Sequence, residues 1–103
     1  MHRFQQWRDA LQVAGSQRSV TRVMREYARA LPAEVRATLP EACRYALDDP
    51  IDVQEAAVTL VQAELAYTGT GGETELLHEI AHTFAAAAVR FRGLPDRTHP
   101  NAR

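Results

Sequence analysis

The sequence predicts an all-α fold: a small bundle of four to five helices built around an antiparallel C-terminal hairpin, with arms at about 52–67 and 73–92. Three observations carry that reading. Apolar residues recur at spacings of three and four along most of the chain, and no stretch shows the strict alternation of a half-buried strand. Gly and Pro fall between the periodic runs, at Gly15, Pro32, Pro40, Thr68–Gly72 and Gly93-Leu94-Pro95. At 103 residues with 46% hydrophobic, the chain has the length of one domain and the material for a small core.

The first helix runs from about His2 to Ala14, with Phe4, Trp7, Leu11 and Ala14 on one face, and Gly15-Ser16 breaks it. The second starts near Ser19 as N-cap and carries Val20, Val23, Met24, Tyr27, Ala28 and Leu31 on its apolar side. Its other side holds Arg18, Arg22, Arg25 and Arg29. Pro32 and Pro40 each suit a first helical turn, so 32–38 and 40–48 read as two short helical pieces. Asp52 with Glu55 forms a capping-box-like start after Asp48-Asp49-Pro50. The helix that follows reaches Tyr67 and offers Val53, Ala57, Leu60, Val61 and Leu65 to the core. Thr68–Gly72 stops it. The last helix, about Glu73 to Arg92, aligns Leu77, Ile80, Ala81, Phe84, Ala88 and Phe91, and Gly93-Leu94-Pro95 ends it. Residues 1–93 thus form a single helical domain and 94–103 a polar, flexible tail.

The short connection makes the last two helices an antiparallel pair, placing Leu60 beside Ala81, Ala57 beside Phe84, and Glu64 near Leu77-His78. The run Phe84-Ala85-Ala86-Ala87-Ala88-Val89 leaves the 73–92 helix apolar nearly all round, which implies surrounding protein on most sides. One small domain has few helices to supply it. The expected partner is therefore a second copy of the chain, in a homodimer with the 73–92 helix central or at the contact.

Charge is close to balanced, at −1, but segregated. Residues 1–47 carry +4, residues 48–89 carry −8 and residues 90–103 carry +3. Attraction between the halves accounts for this better than a polyanionic partner, because a chain so near neutrality steers polyanions feebly. All 12 basic residues are Arg and 18 residues are Ala, a pairing read as GC-rich coding. The Arg18/Arg22/Arg25/Arg29 stripe could meet phosphates, but no helix-turn-helix spacing or stacking platform accompanies it, so a solvated face, or pairing with the acidic hairpin, is the expectation. The single Cys43 gives no disulfide framework or thiolate zinc knot. The longest apolar stretch is far short of the ~20 residues of a membrane span. The first residues lack the apolar run of a signal peptide, so no membrane and a cytoplasmic location are expected.

One pattern can carry chemistry. His78-Glu79-Ile80-Ala81-His82 fits H-E-x-x-H inside a predicted helix. Residues four apart stack on one helix face, so both imidazoles can address one metal ion while Glu79 acts as general base on metal-bound water. In these five positions the chain resembles the zincin metallopeptidases, which would imply zinc-dependent amide hydrolysis. Glu75-Leu76-Leu77-His78 and Glu79-Ile80-Ala81-His82 also repeat the E-x-x-H spacing of carboxylate-bridged di-iron bundles, with Glu64 as the carboxylate from the neighbouring helix. The metal candidates are then His78, His82 and Glu64, with zinc or iron as the ion. Against this stands packing: both histidines buried or half-buried against a third helix or partner, one ring nitrogen bonded to a carboxylate such as Glu64. That reading is favoured. No cofactor is then expected, and the chain is a small non-enzymatic interaction or regulatory module, homodimeric, with an unidentified protein partner. A metal-binding protein or minimal zinc hydrolase is the first alternative, and nucleic-acid binding the second.

Overall fold

The computed structural model describes residues 5–48, 52–67 and 72–95, and every regular element among them is a helix. In chain order these are α1 (Gln5–Val13), α2 (Gln17–Ala30), α3 (Ala33–Ala37), α4 (Glu41–Asp48), α5 (Val53–Ala66) and α6 (Gly72–Arg92). The all-α class is as the periodicity predicts. Six helices occur among the described residues rather than four or five, because the two short pieces read at 32–38 and 40–48 each stand as a helix of their own. Each is entered through a proline: Pro32 caps α3, and the Pro40 carbonyl accepts from the Cys43 and Arg44 amides to open α4.

Caps set the other starts. Ser16, in extended backbone, accepts from the Ser19 amide through its side chain, so α2 begins at Gln17 and the N-cap is Ser16 rather than Ser19. Gly15-Ser16 is thus both the break and the new start, which a search for the first apolar residue passes over. Asp52 caps α5 by accepting from the Glu55 amide at 3.0 Å, as the capping-box spacing predicts. Beyond α6, Leu94 packs on the core, and the Gln17 amide donates to the Pro95 carbonyl at 3.2 Å. The predicted start at His2, the Phe4 contact, the Thr68–Gly71 part of the connection and the 96–103 part of the tail lie outside the described residues.

Helix α6 is the axis of the packing, lying against α5, α2 and α1, while α4 closes on α5 and α2. Leu77, Ile80, Ala81, Phe84 and Ala87 are its buried side. Three aromatic rings cross the centre edge to face. Trp7 meets Tyr27 at 5.7 Å between centroids, and Tyr27 meets Phe84 at 5.9 Å. Burial pushes the Tyr27 phenol well above its ordinary range, with the neighbouring Thr83 hydroxyl acting in the opposite direction. Thr83 in turn donates to the Glu79 carbonyl at 2.8 Å.

One predicted core residue is not in the core. Leu65 is 81% exposed, because the buried line of α5 runs through Val53, Ala57 and Leu60 and reaches Glu64 on its next turn. The two halves of the chain do attract one another within the subunit, through Arg8–Glu79 at 2.7 Å and Arg36–Asp48 at 3.4 Å. Both pairs are solvent-facing and contribute at most ~1 kcal/mol each.

Candidate functional site

Helix α6 turns a second line of side chains away from the core: Glu75, His78, His82, Ala85, Val89 and Arg92. Their spacings alternate between three and four, so they form one stripe along the helix. Ala85 is half-buried and the other five are exposed, Val89 at 64%. On α5, Val58 (55% exposed), the half-buried Val61 and Leu65 line the adjoining edge. Between the two helices lies an apolar groove of about 350 Å³ walled by Val58, Val61, Ala85 and Val89, with Gln54 and Arg92 at one end.

At the other end of this face sit the three predicted metal candidates, and the structure brings all three together. One ligand atom from each of Glu64, His78 and His82 lies within 4.8 Å of the other two. Glu64 Oε2 hydrogen-bonds His78 Nδ1, the carboxylate partner that the packing reading anticipates. The burial half of that reading is corrected within the chain. Among the described residues His78 and His82 are both exposed, with the His78 side chain at 55%, so no described helix buries them. The two rings lie against each other, centroids 3.9 Å apart and tilted by 39°. The i, i+4 spacing stacks them along the helix, and Glu64 reaches them because the core line of α5 ends at that height.

Glu79 does not join this group. Its carboxylate accepts from Arg8 Nη2 at 2.7 Å on the side of α6 that faces α1. A general base must reach the water it activates, and here the carboxylate is already engaged by a guanidinium on another face. What the cluster can do chemically is narrower than the five-residue pattern suggests: two imidazole nitrogens and one carboxylate can hold a cation, while Glu79 is turned away to Arg8.

On α2, Arg18, Arg22 and Arg29 are exposed and Arg25 is half-buried. Among the described residues none of the four comes within 4.0 Å of a carboxylate, so pairing of the stripe with the acidic hairpin is not seen there, and Arg25 Nε is buried while the other three face outward. No described helix is long and apolar enough to cross a membrane.

Two features of the site are not in the sequence reading: the place of Val58 beside the line that His78, His82, Ala85 and Val89 form, and the turn of Arg90. Val58 and Val89 are apolar and off the core line, and their shared register with Val61, Ala85 and Leu65 is the signal that marks a second apolar face. Arg90 lies one position from Val89 but turns inward to α1, where it donates to the Leu11, Gln12 and Ala14 carbonyls.

No protein-family model matches the chain, and comparison with curated proteins and with solved structures yields no match. The likeness to zincins therefore rests on the five residues His78–His82 alone.

Proposed function

We propose that this chain is a cytoplasmic, non-enzymatic interaction module that pairs with a second copy of itself through the outer face of α5 and α6. The observation that carries this is the symmetry of the α6 stripe. A twofold axis passing between His82 and Ala85 sets two α6 helices antiparallel, with Glu75 opposite Arg92 of the other copy, His78 opposite Val89, and His82 opposite Ala85. Acid then meets base at both ends, and small or apolar residues meet the imidazole rings between them. A C2 contact requires such self-complementarity, because the same patch serves both partners.

Size supports the same reading. From Glu75 to Arg92 the stripe is about 26 Å long at 1.5 Å per residue, and two adjacent helices give it a width of about 20 Å. That face is of the order of the ~800 Å² per partner typical of a specific interface. Ala85 and Ala86 permit close approach of the second helix, while Val58, Leu65 and Val89 supply apolar area that water now covers. Arg8 holding Glu79 on another face supports the non-enzymatic half of the proposal.

Light scattering on gel-filtered protein tests the arrangement through charge exchange. Glu75→Arg and Arg92→Glu each place two like-charge contacts in the dimer and should weaken it about tenfold, from ~0–1 kcal/mol lost per pair plus repulsion. The double variant restores both pairs and should recover the parent affinity. Additive weakening in the double variant would contradict the twofold placement. Val89→Glu, buried between copies in this arrangement, should give a folded monomer.

A further inference from the structure

We infer that Glu64, His78 and His82 form a binding site for a divalent transition-metal cation of the zinc class. Two features of the chain point there. All three donor atoms fall within 4.8 Å of one another, although Glu64 comes from α5 and the histidines from α6. The donor set is also chemically selective. Imidazole favours zinc, copper, nickel and cobalt, whereas magnesium and calcium prefer sites made of oxygen.

Tetrahedral coordination at 2.0–2.2 Å needs donors roughly 3.4 Å apart, so the side chains must readjust by rotation about their own bonds, Glu64 and His78 parting slightly from their present contact. They are free to do so: both imidazoles are exposed, and none of the three side chains is wedged into the core. The cost of assembly is small because both helices are fixed by the hydrophobic contacts beneath them. Leu60 and Leu77, on the core lines of α5 and α6, are each at most 1% exposed. The cation takes the place of the His78 Nδ1–Glu64 Oε2 hydrogen bond and is held at the nitrogen edges of the two neighbouring rings, through lone pairs that lie in the ring planes. Three protein donors leave a coordination position open to water.

All donors belong to one chain, so the inference does not rest on self-pairing. In the proposed dimer His78 and His82 face Val89 and Ala85 of the other copy, and no fourth protein ligand is supplied.

Calorimetric titration of chelator-treated, untagged protein with zinc chloride tests the site, with cobalt(II) absorption as a second readout. One ion should bind per chain, with a cobalt spectrum of four-coordinate character, and magnesium chloride should give no saturable heat. His82→Ala and Glu64→Gln should each weaken zinc binding at least tenfold while circular dichroism stays unchanged. His2→Ala/His99→Ala should leave it within twofold, as should the monomeric Val89→Glu variant. Absence of one-to-one binding would overturn the inference, as would affinity unaltered by His82→Ala or abolished by His2→Ala/His99→Ala. Loss of binding in Val89→Glu would overturn the assignment of all donors to a single chain, and would leave the pairing proposal standing.

Discussion

Arg90 is the most exacting test of how α1 is held. Its Nε donates to the Leu11 carbonyl at 3.1 Å, and Nη2 donates to the Gln12 and Ala14 carbonyls, both at 2.9 Å. These are carbonyls at and just past the C-terminal end of α1, where i to i+4 partners run out, Leu11 keeping only the Ala14 amide at 3.3 Å, and where the negative end of the helix dipole lies. Arg90→Ala removes all three hydrogen bonds at once. Bonds to a charged donor are worth about 1.5–3 kcal/mol each when buried, but Arg90 is exposed and water can replace it. A net loss of ~2 kcal/mol for the group follows. With a urea slope near the ~1–3 kcal/mol/M of small domains, the midpoint should fall by about 1–2 M. Trp7, the single tryptophan, sits in α1 against Tyr27, so its fluorescence reports the docking of that helix directly. Arg90→Lys should recover less than half of the loss, because an ammonium cannot span three carbonyls as a guanidinium does. A midpoint within 0.2 M of the parent for Arg90→Ala, or full recovery by lysine, would refute the reasoning.

Burial pushes the Cys43 thiol up to about 11 from its ordinary 9.0. The native chain therefore keeps a proton that the unfolded chain sheds, and this stabilisation is present below about pH 9 and lost as pH rises through 11. Its full size is ~2–3 kcal/mol. Urea midpoints at pH 8 and pH 10.5 should converge in Cys43→Ala relative to the parent; an equal fall in both would contradict it. Ser16→Ala should cost ~1 kcal/mol as the loss of an N-cap, and Ser19→Ala clearly less. The reverse order in thermal melts would restore Ser19 as the cap.

The helical class was readable because periodicity and breakers agree along the chain, and because Asp52 and the two prolines mark starts that need no tertiary information. The α2 start was misread because two serines three apart both qualify as caps, and only backbone geometry separates the donor of the amide from its acceptor. Leu65 shows the limit of type-based core assignment. On a helix near its end, one 100° step decides between core and solvent, and the core line there falls on Glu64. The metal candidates were readable for a firmer reason. The i, i+4 spacing of His78 and His82 fixes their stacking, and the short connection fixes the height of Glu64. What spacing could not give was the side to which Glu79 turns, since Arg8 lies 71 residues away in sequence. Spacing places Val89 on the line of His78, His82 and Ala85, off the core stripe, but it does not say which edge of α5 lies alongside, so the exposed seam it forms with Val58 needed the structure.

Sedimentation equilibrium of the unaltered chain at about 10 µM bears most directly on the pairing of two α6 stripes. A mass twice the 11.5 kDa of one chain, falling toward 11.5 kDa on dilution or on introduction of Val89→Glu, is the predicted result. A single species of 11.5 kDa at every concentration would contradict it.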